Sequence, residues 1–147
     1  MHLTQETDYA MRILFCLAKN GRRMDAATIS DAMSVSLRFS LKILGKLAAA
    51  GIVTSYKGVR GGYELARPAD QITLKDVVDA IEGRPYAISR CLGSDYECNR
   101  GASGCCAFQE VWGEITETVN RRLAGLTFAD MVARDEIVQK RRAGTAG

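Results

Sequence analysis

The chain has 147 residues, of which 47% are hydrophobic and 25% charged, a composition that predicts one compact globular unit, alone or with an appendage. No apolar run is long enough to cross a bilayer and the N-terminus lacks the pattern of a secretion signal, so we expect a cytoplasmic location and no membrane partner. Residues 1–75 hold 11 Lys and Arg against 6 Asp and Glu. A phosphate-contacting surface would therefore lie in this basic half.

Three helices are predicted at the N-terminus. Apolar residues recur at helical spacing from about residue 5 to 19. A short second helix is predicted over 25–33, and a third over 37–50 with Ser36 as its N-cap. Two helices joined by a tight turn and followed by a hairpin are typical of a DNA-binding helix-turn-helix.

The third helix carries two stripes on different faces. Its apolar stripe consists of Leu37, Leu41, Leu44 and Ala48, widened by Ile43 and Leu47, and its basic stripe of Arg38, Lys42 and Lys46. A recognition helix needs one face for its scaffold and one for phosphates and base edges. A solvated amphipathic helix gives the same pattern, so the stripes alone leave both interpretations open.

A small hairpin is predicted next, with strands over 52–56 and 62–66. The turn between them contains Lys57, Arg60 and Gly61. A plain structural turn would also fit, but three helices followed by a basic hairpin predict a winged helix-turn-helix over residues 1–83. The fold class is thus mainly α with a small β-hairpin wing.

This arrangement predicts the DNA contacts. In the major groove we expect part of the third helix, namely Ser36, Arg38, Phe39, Ser40 and Lys42, with Lys46 on phosphate. In the adjacent minor groove we expect the wing, through Lys57, Arg60 and Gly61. The partner would be double-stranded DNA.

A cysteine-rich loop follows a short helix that is predicted to begin at Thr73 and end at Gly83. Residues 84–106 show no periodicity and hold four of the five cysteines. Cys91, Cys98 and Cys105 are evenly spaced, with six residues between each pair. This spacing is not the C-x-x-C of zinc ribbons, and it suits an iron–sulfur cluster better than a single ion. A zinc site, a reversible dithiol switch and unligated thiols remain alternatives.

The C-terminal part is predicted to be helical. Residues 107–124 form a long helix whose apolar stripe consists of Phe108, Val111, Trp112, Ile115, Val119 and Leu123. A small domain would not cover this stripe, whereas the same helix of a second chain would, so we expect a homodimer. The predicted dimerisation unit, 107–138, includes a last short helix, and 139–147 is predicted to be a disordered tail.

Four segments resemble the Rrf2 family of winged helix-turn-helix regulators, over residues 1 to about 135. They are the run from Leu3 to Arg12, the run from Leu41 to Val53, the wing from Arg60 to Ala66, and the three-cysteine loop before a long helix. The resemblance implies a homodimeric regulator, acting as a repressor, that binds a palindromic operator. It also implies one iron–sulfur cluster (2Fe-2S or 4Fe-4S) per subunit that senses nitric oxide, redox or iron status.

The fourth cluster ligand distinguishes branches of the family. Its cluster regulators use a histidine three residues after the third cysteine, where this chain has Phe108. Its nitric-oxide sensors use an aspartate from the first helix of the partner subunit, and Asp8 matches that place. Asp8 also lies four residues before Arg12 and would equally pair with it. Cys106 is a third, less favoured candidate.

Other functions find little support in the sequence. It contains no nucleophilic triad, no phosphate-binding glycine loop and no paired-carboxylate site. We therefore predict that the protein is not an enzyme. Cys16, on the first helix, is expected to be a buried and inert thiol.

Overall fold

The computed structural model describes residues 2–102 and 104–146, which leaves Met1, Ser103 and Gly147 of the predicted units outside it. The described chain contains six α-helices and one two-stranded antiparallel sheet. In chain order they are α1 (Gln5–Asn20), α2 (Ala26–Met33), α3 (Leu37–Ala49), β1 (Val53–Tyr56), β2 (Gly62–Leu65), α4 (Leu74–Glu82), α5 (Ala107–Ala124) and α6 (Phe128–Thr145). The predicted fold class is confirmed.

Side-chain caps explain where the first three helices begin. The hydroxyl of Thr4 accepts the N–H of Thr7 at 3.2 Å at the start of α1, and the carboxylate of Asp25 accepts the N–H of Thr28 at 2.9 Å at the start of α2. Ser36 caps α3 as predicted. Such caps satisfy N–H groups that the first helical turn leaves without partners.

The buried face of α3 differs from the predicted stripe. Leu37 and Leu41 are 47% and 45% exposed, whereas Ser40 is completely buried together with Ile43. The predicted members Ile43, Leu44 and Leu47 are buried, and the helix turns them, together with Ser40, towards α1, α2 and α4. The predicted apolar stripe is therefore wrong at its first two positions.

The wing is anchored to the segment between α1 and α2. The backbones of Met24 and Tyr63 exchange two hydrogen bonds, of 2.9 and 2.8 Å. Gly62 has a φ of +137°, and a Cβ there would lie 2.6 Å from the carbonyl oxygen of Met24. Only glycine allows this approach, so the hairpin begins its second strand pressed against the helical unit.

Helix α6 packs mainly on the N-terminal unit, against α1 and the 69–71 turn. The N–H of Phe128 donates to the carbonyl of Ile72 at 3.0 Å, and the Phe128 ring is 1% exposed within the core. Lys19 of α1 pairs with Asp135 of α6 at 3.1 Å. The predicted grouping of α6 with the dimerisation helix in one unit stays a prediction.

The predicted disordered tail is also wrong over its described part. Helix α6 continues to Thr145 instead of ending near residue 138. A capping box between Thr127 and Asp130 starts it, and the Gln, Lys, Arg and Ala side chains that follow have high helix propensity. The last helix thus reaches nearly to the C-terminus.

Helix α5 has the predicted bounds and an open face. No residue on it is buried within the described chain. The 84–106 segment that leads to it has no strand or α-helix among its described residues and forms one 3-10 turn at Arg90–Leu92. Within the described chain, none of the helices combines the length and hydropathy of a membrane span.

Replacing Phe128 with alanine tests the docking of α6. Phe128→Ala removes a fully buried ring and should lower the free energy of unfolding by about 3–5 kcal/mol in denaturant titrations. Val138→Ala on the same helix is the control, because Val138 is 53% exposed and its truncation should change stability by less than about 0.5 kcal/mol. Equal effects of the two substitutions would contradict the docking of α6 on the core.

Candidate nucleic-acid interface and cysteine loop

The basic stripe of α3 is only partly free. Lys46 Nζ lies 2.8 Å and Lys42 Nζ 3.6 Å from the same carboxylate oxygen of Glu6, on α1. Arg38 is exposed, and no carboxylate among the described residues lies within ion-pair distance of it. Arg38 and the half-exposed Lys42 are therefore the cations of α3 that are most open to an external anion.

Two other predicted contacts of α3 have structural roles. The Phe39 ring meets the Tyr9 ring edge-on, with centroids 5.5 Å apart, and so holds α3 on α1. Ser40 is completely buried, so its predicted contact with DNA is wrong in this structure. Its side chain lies on the core-facing side with Ile43. Ser36 is exposed at the start of the helix, where its hydroxyl already accepts the N–H of Phe39 at 3.2 Å.

The tip of the wing carries the two predicted cations. Lys57 and Arg60 are both exposed. The N–H of Gly61 donates to the carbonyl of Gly58 at 2.9 Å, and a Cβ on Gly61 would lie 2.7 Å from the carbonyl oxygen of Tyr56. Gly61 thus makes the tight turn possible, and the turn points the cations outward.

Arg23 lies between α1 and α2 and contacts the wing, and the sequence analysis missed this role. Its guanidinium lies 3.3 Å from the centre of the Tyr56 ring, 3.6 Å from Glu64, and donates to the carbonyl of Arg60 at 3.1 Å. The Tyr56 hydroxyl donates to Glu64 at 2.6 Å, and this bond raises the pKa of Tyr56. Arg23 therefore clamps both strands and the turn of the wing, a role that its position in the sequence does not reveal.

The cysteines of the loop differ in their surroundings. Cys91 is partly buried, with its Sγ 3.1 Å from the hydroxyl of Ser89. Backbone N–H groups of Ala102 and Arg100 lower the pKa of Cys98, because they stabilise its thiolate. Cys105 is exposed. Hydrogen bonds from the loop backbone thus make the thiolate of Cys98 easier to form.

Gln109 ties the loop to α5. Its amide nitrogen donates to the carbonyl of Cys91 at 2.8 Å, and its amide oxygen accepts the N–H of Gly104 at 3.1 Å. One side chain on the first turn of α5 therefore fixes both ends of the cysteine segment. The sequence analysis missed this residue, since a glutamine on a helix carries no distinctive signal.

The donor chemistry fits an iron–sulfur cluster, but the described loop does not gather the donors. Thiolates are the ligands such clusters take, and the loop backbone lowers the pKa of Cys98 and so makes its thiolate easier to form. Within 2–102 and 104–146, however, no three His, Cys, Asp or Glu side chains are grouped closely enough to hold a metal ion. The predicted ligands Cys91, Cys98 and Cys105 would have to converge on binding.

Asp8 lies on the exposed surface of α1. Its carboxylate pairs with Arg12 at 2.8 Å, and both side chains are about half exposed, at 52% and 46%. The local pairing that the sequence allowed is therefore present, and the same carboxylate remains accessible from outside the chain. Cys16, by contrast, is buried, as predicted, and burial raises the pKa of its thiol. That this thiol is inert stays a prediction.

An apolar face of α5 is open. Phe108, Val111 and Ile115 are 66%, 47% and 37% exposed. The rings of Phe108 and Trp112 stack, with their centroids 6.5 Å apart. Half of the predicted apolar stripe is thus left uncovered by this chain, whereas Trp112, Val119 and Leu123 are partly buried.

The family comparison covers most of the sequence. The model of the Rrf2 family, described as an iron-dependent transcriptional regulator, matches residues 3–134. An HTH-type transcriptional regulator of Azotobacter vinelandii, ORF2, is 30% identical, and the match spans 98% of this chain and 90% of that protein. A Neisseria meningitidis HTH-type transcriptional regulator is 32% identical over 90% of this chain and 88% of its own.

Solved structures share the fold. CymR, the global cysteine regulator of B. subtilis, superposes with a TM-score of 0.74 at 25% identity, over 91% of this chain and 98% of that one. The IscR of T. potens has a TM-score of 0.72 at 22% identity, over 95% and 91% of the two chains. The relatives are DNA-binding regulators and not enzymes. The resemblance noted in the sequence is confirmed, and the chain belongs to the Rrf2 family of transcriptional regulators.

Proposed function

We propose that this regulator is a homodimeric repressor that binds a palindromic DNA operator and carries an iron–sulfur cluster in its cysteine loop. The observation that carries the proposal is the outward display of cations on two adjoining elements of one rigid unit. Arg38 and Lys42 extend from α3, and Lys57 and Arg60 from the wing. Helix α3 would enter the major groove and the wing the adjacent minor groove.

The open face of α5 supports the homodimer. Phe108, Val111 and Ile115 keep more than a third of their surface exposed, and burying them against the same helix of a second copy would remove that surface from water. A two-fold axis that relates the two α5 helices would place two α3 helices on successive half-sites. An operator with inverted repeats follows from this symmetry.

Cys91, Cys98 and Cys105 would hold the cluster, with Asp8 from the α1 of the second copy as a fourth ligand. When bound, such a cluster supplies a redox-active iron centre whose potential depends on its ligands and exposure. The proposed signal is nitric oxide, redox state or iron supply. Gln109 would keep the Cys91 end of the loop against α5 in each subunit.

Contacts between α1 and α3 provide a route from the cluster to DNA. Glu6, Asp8 and Tyr9 lie on one turn of α1. Asp8 would bind the partner's cluster, while Glu6 pairs with Lys46 at 2.8 Å and Tyr9 packs on Phe39. A shift of this turn would therefore move the recognition helix, and operator affinity would change by linkage with cluster binding.

A thiol switch without a cluster, or with zinc, is the second candidate. The loop geometry favours the metal-free form of this switch, because the described residues include no group of three metal donors. The thiol switch is also favoured by the similarity to CymR, a global cysteine regulator. The colour of anaerobically purified protein separates the candidates: a cluster gives visible absorption, whereas zinc or free thiols give none.

The wing contact predicts a specific loss of affinity. Arg60→Ala should weaken operator binding by about 1–3 kcal/mol, since a groove contact is lost. Fluorescence anisotropy at fixed salt would measure it. Arg121→Ala removes the same charge from an exposed pair with Glu117 on α5 and should bind as wild type. A loss of similar size in both variants would mean that only net charge matters.

The dimer contact is tested at the centre of the α5 face. Ile115→Asp would place a carboxylate in an apolar seam, where an unpaired charge is costly. Sedimentation should show monomers, with circular dichroism unchanged because Ile115 is not part of this chain's own core. Ile137→Asp on α6, at a side chain that is 50% exposed, is the matched control. Dimers of Ile115→Asp as stable as wild type would place the interface elsewhere.

The cluster ligands are tested by substitution in anaerobically reconstituted protein. Cys91→Ala, Cys98→Ala and Cys105→Ala should each give colourless protein, because thiolates are the strong ligands of iron–sulfur clusters. Asp8→Ala should keep a cluster with an altered spectrum or stability. Cys16→Ala is the control and should leave absorption unchanged. If Cys106→Ala loses the cluster while Asp8→Ala matches wild type, the fourth ligand comes from the loop itself.

A further inference from the structure

An apolar strip runs along the outer face of the recognition helix. Its four members are spaced four residues apart and all are exposed: Leu37, Leu41, Gly45 and Ala49. The two leucines are 47% and 45% exposed. The strip contains no polar side chain, although the adjacent row consists of Arg38, Lys42 and Lys46. A single exposed leucine is ordinary, whereas two exposed leucines on the same face of a proposed recognition helix indicate a surface that binds a partner.

Gly45 gives an independent indication of that partner. An ideal Cβ at Gly45 would meet no atom within 4 Å, so the described chain does not require a small residue there. Glycine in the middle of a helix is unfavourable compared with alanine. A surface outside this chain that approaches the helix closely would account for it.

We propose that Leu37 and Leu41 read thymine methyl groups in the major groove, and that Gly45 lets the α3 backbone approach the DNA. This inference rests on the proposed docking of α3 in that groove. The flanking cations Arg38 and Lys42 match the phosphates on the groove walls, which favours DNA over an apolar protein surface. The C5 methyl of thymine is the apolar group that the major groove displays, and it marks A·T pairs.

The experiment begins with a duplex selected from a random pool by the full-length protein. Each thymine of one half-site is replaced in turn by deoxyuridine, which pairs identically but lacks the methyl group. Anisotropy titrations should show a loss of roughly fourfold per methyl group at one or two positions. Leu41→Ala or Leu37→Ala should bind the thymine duplex more weakly and no longer distinguish it from the uracil duplex at the matching position.

Two controls separate methyl readout from general weakening. Arg38→Ala should lose affinity for the thymine and uracil duplexes equally. Leu3→Ala truncates a leucine that is 44% exposed outside the strip and should keep the wild-type discrimination. Gly45→Leu should fold with a thermal stability no lower than that of wild type, because a Cβ there meets no atom within 4 Å and leucine has the higher helix propensity. It should nevertheless bind DNA at least about tenfold more weakly, since the added side chain holds the helix away from the bases.

Several outcomes would overturn the proposal. Discrimination that persists in both leucine variants, or thymine-to-uracil changes with no effect anywhere in the duplex, would exclude methyl readout. Leucine variants that alter sedimentation but not DNA affinity would make the strip a protein interface. Wild-type binding by Gly45→Leu would exclude the close approach. A pool from which no specific duplex emerges would contradict the proposed operator binding itself, and methyl readout with it.

Discussion

The buried face of α1 is the constraint on which the rest of the structure depends. Ile13 and Leu14 have no exposed surface, and α2, α3, α4, α6 and β2 all contact this helix. Each such side chain contributes roughly 1.5–3 kcal/mol by burial. Because one helix is shared, the recognition helix, the wing and the C-terminal helix cannot change position independently of it. A ligand that binds at the first turn of α1 and displaces this helix would therefore also displace the elements that pack against it.

Local signals in the sequence predicted the elements well, and packing decided the rest. Ser36 and Thr73 could be read as caps, and the helices begin at them, because capping depends on neighbours in the chain. The inward face of α3 could be read only in part. Ile43, Leu44 and Leu47 are buried as predicted, but Leu37 and Leu41 have the same helical spacing and are exposed, and Ser40 looks like a surface residue. The length of α6 does not follow from its position, because residues near a chain terminus are often disordered, whereas the helix propensity of its residues extends the helix to Thr145.

The candidate site divides in the same way. Exposed cations and cysteines could be predicted because residue type and spacing identify them. The roles of Arg23 and Gln109 could not be predicted, because the groups they contact lie far away in the sequence: the Tyr56 ring for Arg23 and the Cys91 carbonyl for Gln109. The sequence also shows which cysteines lie in the loop, but not how close their thiols come to one another. Gly101 and Gly104 have positive φ values of 64° and 80°, so the path of the loop depends on conformations that side-chain patterns do not reveal.

The salt bridges of Glu6 have a consequence for the thermodynamics of DNA binding. The Nζ atoms of Lys46 and Lys42 already lie 2.8 and 3.6 Å from the carboxylate of Glu6. A phosphate that binds Lys46 therefore replaces the Glu6 carboxylate as its anionic partner. Binding to DNA releases counterions in proportion to the phosphates that are newly neutralised. When Lys46 leaves Glu6 to bind a phosphate, the phosphate charge is neutralised but the carboxylate of Glu6 loses its partner. The recognition helix thus carries three cations, yet its net electrostatic attraction for the double helix corresponds to about two.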